Sequence, residues 1–214
     1  GHYYLAEDIT YTSADAAAIR GPSGTTPACL HLNGHDLTAT ANLAIYGAAG
    51  VLNVMGNGNV MCGLTAEDTT EGATIHVSSG SGEVYLYGGN WGHSFGTTRP
   101  TIDMEAADPL VVIYSGATLC RMDDAQGANV EICSGRVELR GGRILDGTNT
   151  TGYGGNIYTT GAATDFKIYG GTITAGQNTA GIGYGGVALS RVIAKVKDEA
   201  ARLKAAEAKE AKLA

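Results

Sequence analysis

Residues 84–91 read VYLYGGNW. Two apolar side chains stand at alternate positions, a glycine and a turn residue follow, and a further apolar group closes the phrase. Alternation at period two sends Val84 and Leu86 to one side of an extended strand and Tyr85 and Tyr87 to the other. The glycine lets the chain turn a corner through backbone angles that other residues avoid. The tryptophan then begins a second strand.

The same phrase recurs along the chain as LHLNGHDL (30–37), LNVMGNGNV (52–60), VIYSGATL (112–119), VELRGGRI (137–144) and FKIYGGTI (166–173). Val60 falls one residue late in its copy, as a one-residue bulge would place it. The marker glycines at 34, 56, 88, 116, 141 and 170 lie 22, 32, 28, 25 and 29 residues apart. Each interval is one coil of a solenoid. A shorter partner strand precedes most copies, in LAIYG (43–47), TIHVSSG (74–80), TIDME (101–105), NVEICSG (129–135) and NIYTTG (156–161). Coils that repeat in one direction, with connections of variable length, stack in parallel rather than as hairpins.

The expected fold is therefore all-β, a right-handed parallel β-helix, its hand taken from the general preference of parallel crossovers. Equivalent apolar residues should form columns at the inter-strand spacing, one of them being Leu30, Leu52, Val84, Val112, Val137 and Phe166. A charge at Leu139 or Ile168 is expected to unfold the chain.

After Gly186 glycine disappears, and SRVIAKVKDEAARLKAAEAKEAKLA (190–214) is rich in Ala, Lys, Glu and Arg. This reads as a C-terminal α-helix with Ser190 as N-cap. Val192, Ile193 and Val196 would cover the open end of the solenoid, and the remainder would act as a helical spacer or a self-pairing segment. The expected organisation is a β-helix domain over 1–187 and a helix over 188–214, with oligomerisation available through that helix.

Charge narrows the partners. The chain carries a net charge of −7. Seven of its 14 basic residues and four of its 21 acids lie from residue 191 onward, so the body holds 7 basic and 17 acidic groups. Such a body repels phosphate backbones and argues against nucleic acid. No run approaches the roughly 20 apolar residues that span a bilayer, so no membrane insertion is expected. The four cysteines (Cys29, Cys62, Cys120, Cys133) stand singly, with no C-x-x-C pair and no histidine at zinc spacing. Neither a metal nor another cofactor is expected from them.

The phrases NGHDLTAT (33–40), GGRILDGT (141–148) and IYGGTITAG (168–176) resemble bacterial cell-surface β-helix repeats of the pectin-lyase-like superfamily, over about residues 3–186. The resemblance implies a solenoid at the cell surface or outside the cell, with a secretion signal lying outside this sequence. It implies no single chemistry, because that superfamily includes lyases, hydrolases, adhesins and phage spikes. Polygalacturonase-like hydrolases combine Asn-Thr-Asp, Asp-Asp, Gly-His-Gly and Arg-Ile-Lys motifs. Here only Asp123-Asp124 and the fragment Arg143-Ile144-Leu145 correspond.

Two candidate sites follow. Tyr85, Tyr87 and Tyr169 should face outward on a rigid sheet, suited to sugar rings or a glycoprotein. Asp123, Asp124 and Asp146, with Arg143, occupy similar places after the repeat in successive coils and could serve as acid, base and orienting cation on a polysaccharide. The five histidines show no partner at a useful spacing and read as turn and surface residues. The reading leans to a non-enzymatic scaffold and carbohydrate-binding adhesin platform. A lyase or hydrolase using the Asp/Arg group is the rival, and a purely structural or phage-fibre segment is a third reading.

Overall fold

The computed structural model describes residues 1–13, 17–40, 43–63, 73–77, 80–94, 100–105, 108–120, 129–149, 155–159, 164–174, 176–178 and 187–188. Within them the chain is an all-β parallel solenoid of three stacked ladders. The first ladder holds β1 (His2–Tyr4), β4 (Ala28–His31), β7 (Val51–Met55), β10 (Glu83–Leu86) and β13 (Leu110–Tyr114), then the first halves of β16 (Gly135–Leu145) and β19 (Thr164–Ile173). The second holds β2 (Ile9–Tyr11), β5 (Leu37–Ala39), β8 (Asn59–Gly63), β11 (Asn90–Ser94), β14 (Thr118–Cys120) and the second halves of β16 and β19. The third is a separate 7-stranded sheet of β3 (Ile19–Arg20), β6 (Ile45–Tyr46), β9 (Ile75–Val77), β12 (Ile102–Met104), β15 (Val130–Ile132), β18 (Ile157–Thr159) and β21 (Val187–Ala188). Two short strands, β17 (Thr148–Asn149) and β20 (Gln177–Asn178), pair beside the last coils.

Register follows the apolar pattern. On the first ladder Leu52, Val84, Val111, Val137 and Phe166 lie on successive rungs, and beside them Leu30, Val54, Leu86, Ile113, Leu139 and Ile168 do the same. The second ladder contributes Leu37, Val60, Trp91, Leu119 and Ile144, and the third Ile45, Ile75, Ile102, Val130 and Ile157. All of these but Ile168 are buried. Each buried Val, Leu, Ile or Phe contributes roughly 1.5–3 kcal/mol, so continuous columns offset the ordering of a glycine-rich backbone.

Two members of the expected column move. Leu30 pairs with Val54, not Leu52, because the first copy of the repeat enters its corner two residues later than the second. Val112 pairs with Tyr85 and Glu138 on the outer side, and Val111 takes the core position. The continuous apolar run LVVIY at 110–114 carries no alternation to set its phase, and a one-residue slip exchanges the faces. Ile168 ends the described column and is 51% exposed, so a charge there meets solvent rather than core.

The corner glycines serve two different needs. Gly34, Gly56 and Gly141 have φ of 84°, 87° and 111°, the left-handed region that the sequence reading assumed. Gly116 has no such angle; a Cβ there would collide with the carbonyl oxygen of Tyr87 on the preceding coil.

Where the third ladder begins, the core turns polar. Thr74, Thr101, Asn129 and Asn156 are buried on successive rungs, each carbonyl from Thr74 onward accepting an amide of the preceding coil. The Asn129 amide group donates to the Leu145 carbonyl at 2.8 Å and to Asn156 Oδ1 at 2.7 Å. Asn156 Oδ1 also accepts from the Gly147 amide at 2.8 Å, and its amide group donates to the Thr174 carbonyl at 2.7 Å. Thr74 Oγ1 donates to the Gly92 carbonyl at 2.6 Å. Buried side chains here satisfy backbone groups that the turning chain leaves without ladder partners.

The third ladder continues to Ala188, where β21 pairs with β18. Residues 189–214, with the expected helix and its cap, lie outside the described residues. None of the four cysteines is in a disulfide; Cys62 is buried and the other three are half-buried. No helix among the described residues is long and apolar enough to cross a membrane.

Candidate functional site

The outer side of the first ladder carries a column that runs the length of the stack. Tyr4, His31 and Met55 share a line by register. Tyr87 follows Leu86, the rung partner of Val54, and its amide donates to the Val54 carbonyl, which puts it level with Met55. Tyr114 comes next, then Arg140 opposite it, then Tyr169. Parallel, nearly in-register stacking is the cause: residues at one position of the repeat recur every rung at about 4.8 Å.

These side chains touch. The rings of Tyr87 and Tyr114 are parallel to within 7°, with centroids 4.5 Å apart. Tyr85 lies beside Tyr87 on the same strand, 6.4 Å between centroids and 16° between planes. The Arg140 guanidinium sits 4.8 Å from the centre of the Tyr169 ring. Tyr87 is 42% exposed and Tyr169 62%, while Tyr85 is half-buried. Tyr85, Tyr87 and Tyr114 thus lie ring against ring along the face, like the teeth of a comb, while Tyr87 and Tyr169 keep much of their surface open to solvent.

A buried carboxylate anchors the cation. Glu138 is 5% exposed, on the rung below Val112. Its Oε2 lies 2.6 Å from Arg140 Nη2, and its Oε1 lies 3.1 Å from Arg136 Nε. The pairing raises the Arg140 pKa further and holds the guanidinium over Tyr169. At the other end Tyr85 donates its hydroxyl to Glu83 Oε2 at 2.6 Å. That hydrogen bond, followed by burial and the Glu83 charge, pushes the phenol up to about 12. Burial, then the neighbouring Tyr114, raises Tyr87 as well.

Tyr85, Tyr87 and Tyr169 thus share one surface. Sequence reasoning missed Tyr114, because its copy of the repeat was read one residue out of phase, and missed Arg140 and Glu138, which looked like ordinary strand polars. Of the Asp/Arg group, Arg143 and Asp146 lie away from that surface. Arg143 is exposed on the second ladder between Thr118 and Thr172. Asp146 follows β16 in left-handed backbone at φ 52°. Its amide donates to Thr174 Oγ1 at 2.9 Å, and that hydroxyl donates back to Asp146 Oδ1 at 3.3 Å. Cys120 lies near both: burial first, then Asp146, raises its thiol pKa, and Arg143 opposes them. Asp123 and Asp124 lie outside the described residues.

His76 is neither a turn nor a surface residue; it is buried in β9, with Nδ1 3.2 Å from Asp103 Oδ2 on the adjacent rung. Twenty-seven residues separate the two in sequence, and only the coil length brings them together.

No family model, no curated protein and no solved structure matches the chain.

Proposed function

We propose that this chain is a rigid, non-enzymatic scaffold whose first face binds a polysaccharide or the glycan of a glycoprotein, in an extracellular or cell-surface setting. The observation that carries the reading is the continuous outward line Tyr87, Tyr114, Arg140 and Tyr169, with Tyr85 beside it. A comb of phenol edges and hydroxyls fixed on a stiff sheet offers apolar area and hydrogen bonding together at little entropic cost, as sugar recognition requires. The resemblance to pectin-lyase-like repeats of bacterial surface proteins, and the right-handed winding that parallel crossovers favour, belong to the same proposal. Asp146 is engaged with Thr174, which favours a turn-stabilising role over catalysis on that side.

The test is a glycan array with the intact chain, followed by titration of the best ligand against Tyr87→Ala and Tyr169→Ala. Binding that falls at least tenfold in both variants, with unchanged far-ultraviolet circular dichroism, supports the reading. Binding of no glycan, or equal binding by both variants, removes it.

A further inference from the structure

On the third ladder the outward positions of successive rungs are Arg20, Tyr46, His76, Asp103 and Glu131. Ile75, Val77, Ile102 and Met104 point into the core, so His76 and Asp103 point away from it. Both are nevertheless enclosed, at 2% and 6% exposure. Glu105 stands two residues beyond Asp103, and its amide donates to the Val77 carbonyl at 3.1 Å, which continues the ladder and returns its side chain to the same side. One donor atom each from His76, Asp103 and Glu105 lies within 4.8 Å of the other two.

We propose that these three residues form a binding site for a divalent transition-metal ion, ligated by one imidazole nitrogen and one oxygen from each carboxylate. An imidazole with two carboxylates suits zinc and its first-row neighbours, whereas calcium and magnesium favour all-oxygen shells. Metal–ligand bonds of about 2.0–2.2 Å place donors no more than about 4.4 Å apart across an ion. The exposed Glu105 side chain can close the difference without backbone movement. Charge argues in the same direction. Two carboxylates converge on one imidazole where two of the three groups are buried, and among the described residues no lysine or arginine pairs with either acid. A divalent cation offsets that concentration of negative charge. His76 and Asp103 belong to adjacent coils, so the bound ion would clamp β9 to β12.

The test titrates the intact, metal-stripped chain with Co²⁺ and Zn²⁺. The expected result is one equivalent of Co²⁺ with visible ligand-field bands and no thiolate-to-cobalt band, displaced by Zn²⁺, together with a higher thermal midpoint in the metal-loaded protein. Glu105→Gln, at an exposed position, should weaken Co²⁺ at least tenfold with unchanged circular dichroism, and His76→Ala should abolish binding. If His76→Ala does not fold, the Glu105→Gln titration decides. Absence of Co²⁺ binding overturns the proposal, as does equal affinity in Glu105→Gln. A thiolate band, or loss of binding in His2→Ala/His31→Ala instead, assigns the ion to another place and also overturns it.

Discussion

The phenol ring of Tyr87 lies flat on that of Tyr114, one coil further along, with centroids 4.5 Å apart. Twenty-seven positions separate the two residues, so the contact exists only when both coils hold their native register. The stack therefore joins the outer surface to the ordering of the core beneath it.

That coupling is measurable. A double-mutant cycle with Tyr87→Ala and Tyr114→Ala, followed by urea unfolding, is expected to give an interaction energy of about 0.5–1.5 kcal/mol. Additive losses would mean that the rings lie side by side without holding one another.

Alkaline pH acts on the neighbouring phenol. The folded-state pKa of Tyr85 is pushed up to about 12, above the ordinary value of 10.0, chiefly because its hydroxyl donates to Glu83. The folded state thus holds the proton more tightly than the unfolded chain. This contribution to stability is complete below about pH 10 and is lost as pH rises toward 12. Phenolate absorbance in Tyr85→Phe should lack the last-titrating tyrosine, and Glu83→Gln should move that step to lower pH. An unchanged titration in Glu83→Gln would show that the hydrogen bond is not the cause.

Two neighbours in one core column should respond in opposite ways to a charge. Leu139 is fully buried and Ile168, its partner on the next rung, is 51% exposed. Leu139→Asp is expected to abolish cooperative folding, and Leu139→Ala to cost about 2–5 kcal/mol. Ile168→Asp should remain folded with a loss below about 1.5 kcal/mol, estimated from half-burial of an aliphatic side chain. Thermal melts monitored by circular dichroism separate the cases; equal damage from both aspartates would contradict the exposure at Ile168.

Glycines that look alike in the repeat should differ as well. Gly116→Ala places a Cβ against the Tyr87 carbonyl of the preceding coil, backbone that cannot swing aside. Gly170 has nothing within 4 Å of a built Cβ and no left-handed angle. Gly116→Ala is expected to lose at least 2 kcal/mol as an overpacking change, and Gly170→Ala to be neutral or to gain about 0.4–1 kcal/mol through the unfolded chain. Urea midpoints decide, and a tolerated Gly116→Ala would mean that the coils can slide apart there.

The solenoid was legible because alternation and corner glycines are local signals repeated in one order. Legibility ended where a signal lost its phase. In VYLYGGNW, polar and apolar residues alternate cleanly, and Tyr85 and Tyr87 face outward as expected. In LVVIY every residue is apolar or aromatic, and Tyr114 was placed inside although it stacks on Tyr87 outside. The pairing of Arg136 and Arg140 with Glu138 was within reach, since i and i+2 neighbours of a strand share a face. The meeting of His76 with Asp103 was not, because it depends on the exact length of the coil between them, and loops of variable length hide that from any spacing rule.

The buried column of Thr74, Thr101, Asn129 and Asn156 bears on how such a chain can change length. Between the core positions of the second and third ladders, Val60 to Ile75 spans 15 positions, Trp91 to Ile102 spans 11 and Ile144 to Ile157 spans 13. From the first ladder to the second, Leu86 to Trp91, Leu139 to Ile144 and Ile168 to Ile173 each span five. The larger differences in length thus fall in the connections from the second ladder to the third, each of which ends at the buried Thr or Asn column. Thr74, Asn129 and Asn156 each tie the start of a third-ladder strand to the backbone of the coil that follows, which fixes where that strand begins whatever the length of the connection before it. A foreign peptide spliced into one of those connections would leave the ladders with the partners they already have.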